Sequence, residues 1–417
     1  MCSDRVIKAY ESAHERYRSF GVDTDSAIET LKELLLSIHC WQGDDVTGFE
    51  SDGALTGGIM ATGNYLGKAR NGDELRADID KAFSLIPGKK KLNLHAMYAE
   101  FDGPRVDRDK LEAAHFDKWL CWAKKNGFGL DFNPSLFSHD LFQDNMSITH
   151  PDRKIRKFWI EHCKRTREIA AEFGKQTGTP SVNNLWAADG MKDTPADRMG
   201  ARMRLKDALD DIYEEKFNKN YLVDTIESKL FGIGSESFVP GSFEFYLGYA
   251  IKNNMTLCLD SGHYHPTETI SDKISSVLMY IDSLLLHVSR GIRWDSDHVA
   301  ALTDDTRLIA RECVQSGMGR IFYALDFFDA SINRIAAWVI GSRAFLKAML
   351  ISLLELPAIK KAEADFDYTT RFALFEEEKQ LPWGAVWDEY CRRCGVPVGF
   401  EWLDDIRKYE DEVISRR

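Results

Sequence analysis

The sequence predicts an α/β fold, a (β/α)8 barrel of the TIM type with an additional C-terminal helical region. Eight short β-type apolar runs recur before residue 330, and segments with helical spacing separate them. Polar residues interrupt or end those runs one after another, as they do where the strands of such a barrel deliver side chains to its C-terminal face. Beyond residue 330 the chain is nearly all helical in pattern. A doubly wound open sheet is the rival, but it needs fewer strands and a Gly-rich first turn.

In chain order, Asp25 to Leu35 has apolar residues at helical spacing and runs into the strand Leu36 to Trp41. A loop rich in Gly and Asp, from Gly43 to Gly67, leads to a helix over Gly72 to Leu85. After a Pro-Gly turn comes the strand Lys91 to Tyr98. A helix over Asp107 to Asn126 precedes Gly129 to Asn133, and a long amphipathic helix, Asp152 to Phe173, precedes Pro180 to Trp186. Pro195 to Lys216 is helical and Tyr221 to Phe231 is the next strand. Met255 to Asp260, Leu284 to Ser289 and Arg320 to Asp326 complete the eight. The expected division is a barrel with an N-terminal helix over residues 1–330, and a helical extension over 331–417 for barrel closure and subunit contacts.

Composition limits the function. The 417 residues are 44% hydrophobic and 29% charged, enough to bury a large core and inconsistent with disorder or a small disulfide scaffold. The net charge of −12 repels phosphate backbones, so no nucleic-acid partner is expected. The start carries charges where a signal sequence would be apolar. The most apolar late stretch, Ile335 to Leu356, is broken by Arg343, Lys347 and Glu355, so no membrane span is expected. Eight scattered cysteines read as reduced thiols of a cytoplasmic protein. Cys391 and Cys394 form a lone CxxC without the further ligands a structural zinc site needs.

The polar residues at the strand ends are His39, His95, Asn133, Trp186, Glu227, Lys229, Asp260, His287 and Asp326. One alone would be an ordinary hydrogen-bonded core residue. A ring of them is costly unless something positive neutralises the carboxylates. The densest group is Glu227, Lys229, Asp260, His263, His265, His287, Asp295, Asp297, His298 and Asp326. In extended chain, residues two apart share a face, so Glu227 and Lys229 project together, as do Asp295 and Asp297. Carboxylates and imidazoles suit Mn²⁺, Mg²⁺, Co²⁺ or Zn²⁺, and the set exceeds what one ion needs, which points to two metals. The competing reading is a barrel-end salt-bridge network with Lys229 and Arg293. The chain contains no GxSxG, HExxH or GxxxxGK[ST], and Gly232-Ile-Gly234 reads as a turn rather than a dinucleotide site.

Long motifs carry a resemblance over nearly the whole chain. His39 to Asp45, Leu55 to Ile59, Lys91 to His95, Glu227 to Gly234, Cys258 to Pro266, His287 to Arg290, Arg293 to His298 and Leu325 to Arg334 resemble the L-rhamnose isomerases. The resemblance implies a cytoplasmic homotetramer that interconverts L-rhamnose and L-rhamnulose, with two divalent ions per subunit and Mn²⁺ favoured. It implies a structural metal held by Glu227, Asp260, His287 and Asp326, and a catalytic metal on His263, Asp295 and Asp297. Lys229 and Trp186 would contact the sugar, His95 would lie near the ring oxygen to help open the pyranose, and Trp41 would form an apolar wall. Asp295, Lys229 and His95 would be the catalytic side chains. The mechanism that follows is a metal-assisted hydride shift between C1 and C2 in a dry pocket. The alternatives are another metal-dependent barrel isomerase or sugar epimerase, xylose-isomerase-like, and a non-catalytic sugar-binding barrel.

Bland roles are also expected. His265 and His298 are read equally as hydrogen-bonding neighbours of the site. Asp329 and Arg334 are spaced to pair with each other, and Asp44 and Asp45 read as turn residues.

Overall fold

The computed structural model describes residues 2–50, 61–234, 236–292 and 294–417, with side chains throughout except at 2, 3 and 294–296. The motif at 55–59, Arg293 and the Asp295 side chain therefore lie outside the described residues. In chain order the elements begin with α1 (Cys2–Arg18), α2 (Thr24–Glu33), β1 (Leu35–His39), α3 (Gly72–Phe83), β2 (Lys89–His95), α4 (Asp117–Asn126) and β3 (Gly129–Asn133). They continue through α5 (Arg153–Thr177), β4 (Ser181–Trp186), α6 (Arg198–Ile212), β5 (Leu222–Glu227), α7 (Phe243–Asn253), β6 (Thr256–Asp260), α8 (Ser271–Leu278) and β7 (Leu284–Val288). A hairpin of β8 (Arg290–Ile292) and β9 (Trp294–His298) precedes α9 (Asp304–Ser316) and β10 (Ile321–Leu325). The helices α10 (Arg334–Leu353), α11 (Pro357–Ala364), α12 (Tyr368–Glu378), α13 (Trp383–Arg393) and α14 (Trp402–Glu412) end the chain.

Eight strands form one parallel sheet in the order β3-β2-β1-β10-β7-β6-β5-β4. Each expected strand is present. The helix expected over Asp107 to Asn126 is shorter, because its first half is broken into 3-10 turns before α4. Local chemistry sets the helix ends. Asn71 accepts the Glu74 N–H at 3.0 Å and starts α3. Gly127 and Gly178, at φ of +71° and +70°, stop α4 and α5 in the left-handed conformation that glycine adopts without strain.

The seam between β3 and β4 is closed by side chains instead of a backbone ladder. The Val182 N–H donates to Asp131 Oδ1 at 2.7 Å, the Asn183 amide to the Phe132 carbonyl at 2.6 Å, and the Asn184 N–H to Asn133 Oδ1 at 3.3 Å. Asp131 also accepts from Ser37 Oγ at 2.6 Å and forms a buried ion pair with Lys91. One carboxylate thus ties four strands together toward the N-terminal end of the barrel.

The helix α10 packs on α9, α3 and α2 and takes the eighth place around the barrel. It is long and apolar enough to cross a membrane, yet 83% of that stretch is buried within the protein, so it is a core helix. All the cysteines with described side chains are free. One local expectation is corrected. Arg334 does not pair with Asp329: its guanidinium forks onto Asp45 at 2.7 and 2.8 Å, while Asp329 accepts from the Ser331 hydroxyl at 2.5 Å and its N–H at 2.7 Å. A long side chain reaches a partner across the fold that sequence spacing does not reveal. Asp44 and Asp45 do lie in a turn, and the Asp44 carboxylate is buried there, accepting from the Tyr98 hydroxyl and the Gly48 N–H, each at 2.7 Å.

Candidate active site

The C-terminal ends of the strands surround a cavity with about 60 Å³ of water-accessible space. Its lining includes Trp41 after β1, His95 ending β2, Asn133 ending β3, Asn184 and Trp186 on β4, Glu227 ending β5 and Lys229 beyond it. His263 after β6, His287 on β7, Asp297 on the hairpin and Asp326 after β10 complete the polar wall. Glu227 and Lys229 both face the cavity, as expected, although Lys229 lies just past the end of β5.

At the centre, His287 Nδ1 lies 3.3 Å from Glu227 Oε2, 3.3 Å from Asp326 Oδ2 and 3.7 Å from Asp260 Oδ2. Asp260 Oδ2 and both His287 nitrogens are buried without a hydrogen-bond partner. Buried polar atoms are seldom left so. Three sets, Glu227–Asp260–His263, Asp260–His287–Asp326 and Glu227–Cys258–His287, have ligand atoms within 4.8 Å of one another. These donor types and spacings fit a divalent cation. His263 is oriented to act as such a donor, since its Nδ1 faces the Ser228 carbonyl at 3.0 Å and Glu227 Oε1 at 2.8 Å. Its Nε2 lies 3.9 Å from Asp260 Oδ2, within the same candidate ligand set.

The electrostatics describe a site that attracts positive charge. Burial drives the Asp260 carboxyl up to about 7, opposed by His263 and reinforced by the negative Glu227 and Asp326. Burial also pushes Glu227 up, but the charges of His287 and His263 outweigh it and hold that carboxyl well below its ordinary range. On His287, burial favours the neutral ring, yet the charges of Cys258 and Glu227 and the nearby Asp326 carboxylate raise its pKa well above the ordinary value. A bound cation would relieve this crowding.

The walls are aromatic. Trp41 Nε1 donates to Asp326 Oδ1 at 3.0 Å, and the Trp41 and His95 rings meet edge to face at 4.8 Å. Lys229 Nζ stands 4.6 Å from the Trp186 ring centre, and the Trp186 indole nitrogen is buried without a partner. Burial lowers the His95 imidazole to about 4, so it is neutral at pH 7. Of the residues read from the sequence, Trp41, His95, Asn133, Trp186, Glu227, Lys229, His263, His287, Asp297 and Asp326 line this cavity, with Asp260 buried against them. His265 lies apart, with Nδ1 on the Thr267 hydroxyl at 2.8 Å.

Sequence reading missed Asn184, Val46, Phe137 and Phe328, which also line the cavity. Asn184 was accessible to the alternation argument, two residues before Trp186 on the same strand. Its amide donates to Glu227 Oε2, and its carbonyl accepts from Thr225 Oγ1 at 2.7 Å. Val46 and Phe328 lie in loops, where no periodicity marks them.

Barrel and site together define a (β/α)8 enzyme whose strand ends gather carboxylates and imidazoles around a small, aromatic-walled cavity. The chain matches the family model described as L-rhamnose isomerase (RhaA) over residues 4–417. It is 56% identical over 418 residues to L-rhamnose isomerase of Yersinia pseudotuberculosis serotype O:1b (strain IP 31758), covering 100% of both chains. It is 57% identical over 416 residues to L-rhamnose isomerase of Escherichia coli O1:K1 / APEC, covering 99% of each. A solved L-ribulose 3-epimerase aligns at 14% identity and a TM-score of 0.47, over 79% of this chain and 97% of that one. The chain belongs to the L-rhamnose isomerase family, and with it to the aldose–ketose isomerases.

Proposed function

We propose that this chain interconverts L-rhamnose and L-rhamnulose with two divalent ions per subunit, Mn²⁺ favoured, and moves hydrogen between C1 and C2 as a hydride. One observation carries the metal reading: Asp260 Oδ2 and both His287 nitrogens are buried without hydrogen-bond partners, crowded beside the Glu227 and Asp326 carboxylates. Glu227, Asp260, His287 and Asp326 would hold one ion, and His263, Asp295 and Asp297 the other. Bound there, the ions supply Lewis acidity that polarises the sugar's carbonyl and hydroxyl oxygens.

The side chains do the rest. Trp186 and Lys229 present an indole N–H and an ammonium to the sugar oxygens, and the ammonium sits beside the alkoxide that develops at O2. His95 meets the ring oxygen of the closed sugar. Once the ring is open, the proton on O2 leaves and one arrives on O1. Asp297, on the cavity wall, accepts a hydrogen bond from the water that carries it. The hydrogen on C2 then passes to C1 with its electron pair. The aromatic rings of Trp41, Phe137, Trp186 and Phe328 limit water around the reacting carbons. As part of the same proposal the enzyme is a cytoplasmic homotetramer with subunit contacts on its C-terminal helices. In support, α12 buries none of its residues, and Phe366, Tyr368 and Phe372 are exposed.

Turnover in tritiated water tests the hydride route. The expected product carries almost no label at C1. Extensive label there would mean an ene-diol intermediate and would overturn the route.

A further inference from the structure

The loop after β3 lies behind His95 and is built around one hydroxyl. Ser135 is fully buried, and its Oγ lies 3.2 Å from the Met97 N–H and 3.3 Å from His95 Nδ1. The Met97 amide can only donate, so it takes one lone pair of the hydroxyl; among the described contacts His95 Nδ1 is the one other polar atom at this fully buried oxygen, so the hydroxyl hydrogen is satisfied by pointing at that nitrogen. His95 thereby keeps its own proton on Nε2, the nitrogen left for the cavity that the ring lines.

The serine is itself held in place. Its N–H donates to His162 Nε2 at 3.0 Å, which requires that nitrogen to be bare. The proton of the neutral ring is on Nδ1 and donates to the Arg108 carbonyl at 3.0 Å. The Arg108 guanidinium returns to the same loop, donating to the carbonyls of Ser135 at 2.5 Å and Phe137 at 2.6 Å. Phe137 in turn packs edge to face on the His95 ring at 5.6 Å. Ser135, His162 and Arg108 are all buried. Such a network fixes a rotamer and a tautomer together.

We infer that Ser135 is a positioning residue that holds His95 as the Nε2–H tautomer, so that the imidazole donates to the ring oxygen of the closed sugar. The inference rests on the proposed ring-opening role of His95 and deepens it. Opening breaks the C1–O5 bond while the O1 hydroxyl proton passes through water to O5 in the same step; the His95 Nε2–H hydrogen-bonds O5 as it leaves, and the imidazole stays neutral throughout. Nothing is oxidised or reduced, and atoms balance. The Pro134 carbonyl also acts on this imidazole. If it drew the proton onto Nδ1, Ser135 would not be the donor and its loss would matter little.

The test compares Ser135→Ala, His95→Ala and the double variant on two substrates. L-rhamnose must be opened from its pyranose. D-glyceraldehyde, which shares the C2 configuration of L-rhamnose, is too short to close a ring. The expected result for Ser135→Ala is a fall of roughly tenfold in kcat/KM for L-rhamnose, the worth of one hydrogen bond to a ring nitrogen. For D-glyceraldehyde the change should stay within about twofold, a value that also certifies the fold. Ser135→Thr, which keeps the hydroxyl, should restore the L-rhamnose rate, and in the His95→Ala background Ser135→Ala should add less than about twofold. Equal losses on both substrates, no loss on L-rhamnose, or full additivity with His95→Ala would each overturn the inference. If His95→Ala itself loses equally on both substrates, the ring-opening reading fails first and separately.

Discussion

Trp41 Nε1 donates to Asp326 Oδ1 at 3.0 Å, joining the loop after β1 to the end of the adjacent β10. The bond fixes the carboxylate so that its other oxygen, Oδ2, stands 3.3 Å from His287 Nδ1 at the centre of the site. The tryptophan is therefore both an apolar wall and the partner that orients a candidate metal ligand.

Trp41→Phe keeps the wall and removes the donor. Loss of such an orienting partner is expected to lower metal affinity or activity about 10–100-fold. Mn²⁺ titration of the stripped variant, followed by calorimetry and by ketose formation, measures it. Unchanged affinity and rate would show that Asp326 needs no such support.

A second outcome concerns the opposite end of the barrel. Lys91 and Asp131 form an ion pair in which both side chains are almost wholly buried, 4% and 5% exposed. Lys91→Met leaves Asp131 buried without its cation and is expected to cost about 3–5 kcal/mol in urea unfolding. The folded fraction should keep its kcat within about twofold, since distant sites behave independently. A stability loss under about 1 kcal/mol would mean that the Ser37 and Val182 donors alone satisfy the carboxylate.

His162 gives a pH signature. Burial, then the Arg108 charge, lowers its imidazole to about 3, against 6.5 for the free side chain. Below pH 6.5 the unfolded chain takes up a proton that the folded one refuses. The contribution is therefore complete above 6.5 and shrinks by about 1.4 kcal/mol per pH unit as the pH falls from there toward 3. Replacing it by His162→Gln should remove that part of the acid slope between pH 6 and 4.5. An identical slope in both proteins, read from unfolding midpoints across the window, would show that His162 is not held neutral.

The barrel was legible because each strand is a short apolar run that ends in, or runs straight into, a polar residue, and β3 matches its expected span, Gly129 to Asn133, at both ends. The same pattern places Glu227, Lys229, His287 and Asp326 at one end of the barrel. The devices that cross the fold were not legible. Arg334 finds Asp45 instead of its neighbour Asp329, and Asp131 replaces a backbone ladder with its carboxylate. Such partners depend on which loops meet in space, and no period in the sequence encodes that. The β8–β9 hairpin escaped as a unit, since the three residues of β8 are too few to show alternation, although the extended chain around Asp297 was legible.

Metal content and L-rhamnulose formation, measured on one purified sample before and after exhaustive chelation, test the two-ion centre most directly. The account predicts about two divalent ions per chain, loss of ketose formation when they are removed, and recovery on adding Mn²⁺. Full turnover by metal-free protein would contradict it.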